Sequence, residues 1–259
     1  MLLVRRALLA AASASLILPS RPGLADGVSS AAAVVTDKVR LEFVEQVSAQ
    51  ESRSLAMTIG LFGKDAPTAV STFKEACSGT LVLPCPSDVD VSDAVMERSK
   101  QSKKATLKAC LGSENEPVSY AYSQVWAVQR GKRINAGAVQ GKFAMRVAPT
   151  YALSEAAGLS HDASGLLSVK RGGGSFDFGI TTAPTPDFDD EFIVIGRVLE
   201  GADAVAALDA LPVVKAADVL GVAPPTASRA SACEYSNPQP FCAQNKPLKK
   251  VTLLRTAVL

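Results

Sequence analysis

Hydrophobic and polar residues alternate in two segments near the start of the chain, and this period of two is typical of strands with one buried face. Val39, Leu41 and Phe43 alternate with charged residues, and residues 55–61 repeat the pattern after a polar stretch at 46–54, which predicts a hairpin. Later segments rich in β-branched and aromatic residues predict strands at 120–128, 137–140, 143–147, 166–169, 178–182, 192–199 and 250–259. Many short strands at such intervals favour a barrel.

Two segments have helical periodicity instead. Val70, Phe73 and Cys77 fall at three- and four-residue steps, which predicts a helix over residues 67–77 with a proline at its start. Residues 203–211 are rich in alanine and poor in charge, so a second helix is predicted there, lying against the sheet rather than in water.

The first 25 residues have the layout of a cleaved export signal. Arg5 and Arg6 precede an apolar run at 7–18, and a small-residue stretch ends at Ala25. The adjacent arginines suit twin-arginine export, which serves the bacterial periplasm and the thylakoid lumen. A membrane-spanning helix needs about 20 residues, and the apolar run is shorter than that. We therefore expect residues 1–25 to be removed on export.

The rest of the chain is expected to form one domain with two insertions. Residues 26–37 are small and polar and are expected to be a mobile leader, and no linker divides residues 38–259 into halves that could each bury a core. The insertions are expected near 80–117 and 212–247, where proline, charged or small polar residues accumulate. Residues 80–117 are compatible with either a solvated helix or an excursion from the sheet.

Composition and charge exclude several classes of function. With 47% apolar and 20% charged residues the chain is of ordinary globular type. It has 27 basic and 25 acidic side chains, and loss of the export signal at residues 1–25, which carries three arginines and no acid, leaves 24 and 25. A near-neutral surface does not attract a phosphate backbone, so no nucleic-acid partner is expected. No later apolar run is long enough to span a membrane, so a soluble mature form is expected.

Five cysteines and a single histidine limit the possible metal and redox chemistry. No Cys-x-x-Cys pair is present and His161 is the one imidazole, so a zinc site is not expected. No carboxylate or thiol stands at a spacing from His161 that would indicate a catalytic or metal-binding pair, so His161 is expected on the surface. In an exported chain Cys233 and Cys242 are the favoured disulfide, because two prolines already bend the segment between them. Cys77 is predicted to be a buried free thiol.

Three segments, in order, resemble the cyclophilins. Residues 57–73 carry the Leu-Phe-x4-Pro-x5-Phe spacing of that family's second strand and first helix. Residues 165–169 resemble its Gly-x-Leu-Ser-Met strand, and residues 179–201 follow its long Phe-Ile-Thr-Thr to Gly-Lys-Val-x-x-Gly segment. The resemblance spans about residues 39–211, with the last strand near Lys250. It implies a mainly β fold, a closed eight-stranded antiparallel barrel capped by two helices, in a divergent member of thylakoid-lumen type.

The resemblance also implies an activity, peptidyl-prolyl cis-trans isomerisation, which assists the folding of proline-containing polypeptides. The bond before proline resists rotation with a barrier of about 18–20 kcal/mol. A cyclophilin lowers that barrier by holding the imide in a dry apolar pocket while a guanidinium donates a hydrogen bond to the proline nitrogen. This chemistry needs no metal and no cofactor, and a monomer is sufficient for it.

The candidate catalytic residues are Gln140 and Arg133. Gln140 matches the glutamine of the family's Phe-Met-x-Gln-Gly-Gly segment. The preceding loop, residues 129–135, is longer than usual, and neither way of aligning the strand before it places an arginine at the catalytic position. Arg130 and Arg133 in this loop both remain candidates, beside the alternative that each is simply solvated.

The walls of the expected proline pocket are altered. Asp177, Gly179 and Phe192 stand where typical members have Gln, Phe and His, whereas Phe188 keeps the apolar character of the usual leucine. Trp126 is expected in the core.

Three further residues are ambiguous. Phe178 can contribute to the groove, but its place in an alternating strand equally predicts a core residue. Lys170 and Arg171 replace a neutral Ala-Asn pair and either attract an acidic segment or face solvent. The substrate-binding candidates are therefore Phe188, Phe192, Asp177, Phe178, Lys170 and Arg171.

Two functional hypotheses follow from this mixture of kept and lost residues. The first is a weak, divergent prolyl isomerase. The second is a catalytically inactive binding or assembly factor that uses the same groove. The expected location is the thylakoid lumen, with the periplasm or secretion as alternatives.

Overall fold

Nine strands form one curled antiparallel sheet in the computed structural model, which describes residues 30–88, 97–139, 141–214 and 245–259. The strands are β1 (Asp37–Gln46), β2 (Ser52–Leu61), β3 (Ser123–Gln124), β4 (Ala127–Gln129), β5 (Arg133–Ala136), β6 (Leu166–Lys170), β7 (Phe178–Thr181), β8 (Phe192–Glu200) and β9 (Val251–Val258). The helices are α1 (Pro67–Ser78), α2 (Glu97–Leu111) and α3 (Ala202–Asp209), with short 3-10 turns at Ser30–Ala32, Gly141–Met145 and Pro186–Phe188. None of these helices, within the ranges given, is long and apolar enough to cross a bilayer.

The strand order is β3-β9-β1-β2-β8-β6-β7-β5-β4. The structure thus differs from the predicted closed barrel of eight strands and two helices, because the residues it describes form nine strands and three helices, and their ladder of paired strands is open. The backbone of residues 125–126 connects the two ends of this order. Val125 N–H donates to Val251 on β9, whereas the next residue, Trp126, donates to Asn135 on β5. The segment predicted as one strand is therefore divided into β3 and β4, which lie at opposite ends of the order, and the sheet curls into a half-barrel.

The predicted hairpin at the start of the domain is confirmed. β1 and β2 pair without a break from Asp37 opposite Leu61 to Gln46 opposite Ser52. The apolar positions Val39, Leu41 and Phe43 are fully buried while the charged residues between them are not. Burial of this apolar face is the main favourable contribution to folding.

Residues 30–36, which belong to the predicted leader, lie on the outer face of β2. A Cβ atom on Gly60 would lie 2.8 Å from the Val35 side chain, and Thr36 N–H donates to the Leu61 carbonyl at 2.9 Å. Arg197 of β8 also donates to the Ala31 carbonyl at 2.7 Å. These contacts explain why β2 is buried on both faces near its end.

The loop predicted before Gln140 is instead a hairpin. Gly131, with a φ of 67°, forms a tight turn closed by a hydrogen bond from Lys132 N–H to the Gln129 carbonyl. β5 follows this turn and pairs with β7, from Arg133 opposite Thr181 to Ala136 opposite Phe178. The predictions of strands at 137–140 and 143–147 are wrong in the described part, since residues 137–139 belong to no strand and Gly141–Met145 is a 3-10 turn.

Helix α1 confirms the predicted helix and its buried thiol. Cys77 is free and buried, and burial raises the pKa of its thiol well above the usual value. The residue at the N-terminal cap, Ala66, offers no side-chain hydrogen bond, and the buried Glu155 carboxylate replaces it. Its two oxygens accept hydrogen bonds from the N–H groups of Thr68 and Ala69 at 3.1 and 3.0 Å.

The insertion at 80–117 contains α2, is cross-linked internally by a disulfide, and is attached to the body by Arg146. A disulfide joins Cys85 to Cys110, a pair that the sequence did not single out, while the predicted pair Cys233 and Cys242 lies outside the described residues. The buried Arg146 guanidinium donates to four backbone carbonyls that flank α2, those of Leu83, Ser113, Glu114 and Glu116.

We predict that Arg146→Met lowers the free energy of unfolding by about 2–4 kcal/mol, because the carbonyls lose a charged donor in a dry site. Arg98→Met is the control, because Arg98 is exposed on α2. Urea denaturation measures both variants. Equal effects of the two substitutions would contradict the anchoring role of Arg146.

Candidate active site

A cavity of about 340 Å³ opens beside β5 and the segment before β8. Its volume falls at the lower end of the range usual for small-ligand sites. Five of the candidate residues line it: Arg133, Lys170, Asp177, Phe188 and Phe192. The structure adds five more: Trp126, Gln129, Asn135, Ser175 and Glu191.

Arg133 lies in this cavity with its guanidinium against aromatic rings. Its Cζ is 3.5 Å from the ring centroid of Phe192 and 5.7 Å from that of Phe188, and its side chain is almost fully buried. Nη2 makes one long hydrogen bond of 3.4 Å to the Ser168 carbonyl, while Nε and Nη1 have no partner among the residues described. A cation on a ring face is attracted to the negative face of the π-system, more strongly when dry.

Burial is the main influence on the charge of Arg133. It lowers the pKa of the guanidinium to about 10, while the nearby carboxylates of Glu191 and Asp177 act in the opposite direction. Arg133 is therefore still protonated at neutral pH. The cavity therefore holds a buried, positively charged hydrogen-bond donor.

Gly179 provides the space for this side chain. It lies on β7 opposite Asn135, two positions along the ladder from the pairing of Arg133 with Thr181. A Cβ atom at position 179 would lie 1.7 Å from Arg133 Nε, closer than any contact between unbonded atoms. A side chain here and the observed position of Arg133 exclude one another.

Arg130, the other candidate arginine, points elsewhere. It donates to the carbonyls of Ala210 and Leu211 at 2.9 and 3.0 Å, at the end of α3. Gly131 N–H in the same turn donates to Asp209 at 3.0 Å. Arg130 therefore attaches the β4–β5 turn to α3 and does not line the cavity.

Two predicted substrate-binding residues do not line the cavity either. Phe178 is fully buried in the core, where its ring packs edge-on against Phe73 and Tyr120 at 5.3 and 5.1 Å. Arg171 donates to the carbonyls of Asp189 and Phe192 at 2.7 and 3.3 Å, so it supports the aromatic segment from behind. Gln140 lies outside the described residues.

The charged candidates Asp177 and Lys170 lie at the rim of the cavity. Asp177 is half-buried, and burial raises the pKa of its carboxyl despite a hydrogen bond from Ser175 and the nearby charge of Arg133. Lys170 is exposed at the end of β6. The cavity therefore combines two aromatic walls, one buried cation and a mixed-charge rim.

His161 was expected on the surface, and this prediction is wrong. Its side chain is fully buried, and Nδ1 lies 2.5 Å from Oδ1 of Asp189, the residue after Phe188. Burial lowers the pKa of His161 more than the hydrogen bond to Asp189 raises it. Burial alone would raise the pKa of Asp189, but hydrogen bonds from Ser160 and His161 hold it below its usual value.

Residues 47–223 of this chain match the model of the family described as cyclophilin type peptidyl-prolyl cis-trans isomerase/CLD. This chain belongs to the cyclophilin family. It is also 46% identical over 54 residues to peptidyl-prolyl cis-trans isomerase CYP21-4 of Arabidopsis thaliana. That stretch covers 20% of this chain and 23% of the relative, so the similarity spans about a quarter of the relative's length.

Sequence reasoning missed part of this cyclophilin's cavity. Trp126 was assigned to the core but is 42% exposed and lines the cavity. Asn135 was assigned to a loop, yet Arg133 and Asn135 alternate on one face of β5. A turn at Gly131 is the signal that would have shown Arg133 and Asn135 on one face, because β5, the strand that carries both residues, begins after this turn.

We predict that Gly179→Ala destabilises the protein by about 1–3 kcal/mol, because the new methyl group must displace Arg133. In an Arg133→Ala background the same change should cost less than about 0.5 kcal/mol. Gly158→Ala is the control, since a Cβ atom there meets nothing within 4 Å. Denaturant unfolding of the four combinations measures the coupling, and additive effects would contradict the contact.

We also predict that stability falls on mild acidification. The pKa of folded His161 is lowered, so below about pH 6.5 the unfolded chain binds a proton that the folded chain does not. The free energy of unfolding should therefore be highest above about pH 6.5 and should decrease as the pH falls from there towards the lowered pKa. Urea titrations between about pH 5.5 and pH 7.5 measure this, and His161→Gln should remove the histidine's contribution. Stability that rises on acidification would contradict it.

Proposed function

We propose that this cyclophilin catalyses the cis-trans isomerisation of the bond before proline in polypeptide substrates, and so assists their folding. The observation that carries the proposal is the cavity in which Arg133, protonated and dry, lies against the ring of Phe192. A preorganised donor in a site with little water stabilises developing charge without reorganisation at the moment of reaction.

The chemistry requires the proline nitrogen to lose its conjugation with the carbonyl. As that nitrogen becomes pyramidal its lone pair accepts a hydrogen bond, and the rotation barrier of about 18–20 kcal/mol falls. Arg133 has two nitrogens without a partner among the described residues and is the proposed donor. The apolar walls of Phe188 and Phe192 would hold the proline ring and keep water from the imide. Gln140 is the second proposed catalytic residue.

The remaining candidates divide into two groups. Asp177 and Lys170 line the cavity and are proposed to contact the residues that flank the proline. Phe178 and Arg171 act indirectly, since one packs in the core and the other holds the backbone of the aromatic segment. We expect activity to be weak, because Gly179 leaves the cavity without the phenylalanine found there in typical cyclophilins.

We further propose that the protein works after export, in the thylakoid lumen, as a monomer. The leader pattern of residues 1–25 supports export. The disulfide between Cys85 and Cys110 supports an oxidising compartment. One matched relative is a plant protein, which agrees with an organelle that plants possess.

An isomerisation assay on a proline-containing peptide tests the proposal. Arg133→Ala should lower kcat/KM about 100-fold, the usual effect of removing a preorganised donor. Arg133→Lys should restore little, because an ammonium lacks the planar guanidinium that stacks on a ring. Gln140→Ala should lower kcat/KM about tenfold, which corresponds to the loss of one neutral hydrogen bond worth about 1.4 kcal/mol.

Arg130→Ala is the matched control, since Arg130 contacts α3 rather than the cavity, and its kcat/KM should stay within about twofold of the unchanged chain. A rate no faster than the uncatalysed exchange would overturn the proposal. If the peptide still binds under those conditions, the protein is the binding or assembly factor instead.

A further inference from the structure

His161 lies behind the aromatic wall of the cavity, where it contacts Phe188. His161 is fully buried, does not line the cavity, and lies on the loop before β6. Its ring packs edge-on against Phe188, with the ring centroids 6.2 Å apart and the planes at 90°. Phe188 in turn packs against Phe192 at 5.7 Å, and Phe192 lies under the Arg133 guanidinium.

A network of hydrogen bonds fixes the segment 185–189 to this histidine. Asp189 accepts hydrogen bonds from the backbone N–H of His161 at 2.8 Å and from the hydroxyl of Ser160, in addition to its contact with Nδ1. In the other direction, Thr185 N–H donates to the His161 carbonyl at 2.8 Å. The two ends of the turn that carries Phe188 are therefore both held by the same residue.

The network also determines which ring nitrogen carries the proton. An ionised carboxylate can only accept hydrogen bonds, so Nδ1 of His161 must be the donor to Asp189. Nε2 then lacks a proton, and it is buried without a hydrogen-bond partner in the described part of the chain. A buried polar atom without a partner is costly, and its presence here indicates that the Nδ1 contact is what keeps the histidine in this place.

We propose that His161 is a positioning residue of the cyclophilin site. Its Nδ1–H bond to Asp189 holds the turn at Pro186–Phe188, and the turn holds the aromatic surface against which Arg133 lies. The inference rests on the proposed isomerase function. His161 does not touch the substrate and acts only through Asp189 and Phe188.

Two substitutions separate the hydrogen bond from the space that the ring fills. His161→Asn retains an N–H donor close to the position of Nδ1, whereas His161→Leu fills a similar volume without a donor. His161→Leu should lower kcat/KM for peptide isomerisation about tenfold, because a small misplacement of the site is expensive for catalysis. His161→Asn should recover at least half of that loss on a logarithmic scale.

Val39→Ala is the control for a general loss of stability, because Val39 is fully buried in β1 and has no contact with the cavity. Its kcat/KM should stay within about twofold of the unchanged chain at a temperature where all variants are folded by circular dichroism. Equal losses for His161→Leu and His161→Asn, or no loss for either, would overturn the positioning role.

Because His161 is the chain's one histidine, its imidazole ¹⁵N resonances need no assignment. We expect the spectrum of the Nδ1–H tautomer, and a shift of these resonances when an Ala-Pro peptide is added. The Nε2–H tautomer, or resonances that do not move while the peptide binds, would overturn the inference.

The outcomes distinguish this inference from the proposed function. An active wild-type chain whose activity is unchanged in His161→Leu would overturn the positioning role alone. A chain that binds the peptide without turnover would overturn the isomerase proposal, and the effect of the two variants on peptide affinity would then test the positioning. A wild-type chain that neither binds nor isomerises would overturn both.

Discussion

The site depends on keeping one protonated guanidinium out of water. Removing a cation from water is costly, and the cost is partly offset at Arg133 by the ring of Phe192 and by the nearby carboxylates of Asp177 and Glu191. The arrangement is possible only because Gly179 on the neighbouring strand has no side chain. The position of Arg133 thus depends on the strand register, on the absence of a Cβ atom at position 179 and on the aromatic wall together.

Residues that do not line the cavity support this arrangement. Arg171 donates to the carbonyls of the aromatic segment on one side, and His161 holds Asp189 on the other. Phe178 packs below in the core against Phe73. Two of the predicted groove residues, Phe178 and Arg171, therefore support the groove rather than line it.

The sequence predicted the regular parts of this fold and missed the parts set by turns. The β1–β2 hairpin and α1 follow from strong periodicity over ten or more residues. β5 has only four residues, so no periodicity marks it, and its start depends on the positive φ of Gly131. The location of Arg133 followed from that turn. The sequence did not reveal the burial of His161, because its partner, Asp189, is 28 residues away and meets it only in the folded chain.

A crystal structure of the protein with a bound proline-containing peptide tests the central claim most directly. The account predicts that the proline ring lies against Phe188 and Phe192, and that a guanidinium nitrogen of Arg133 lies within hydrogen-bond distance of the proline nitrogen. A peptide seated elsewhere on the surface, or a bound proline with Arg133 turned away from its imide, would contradict it.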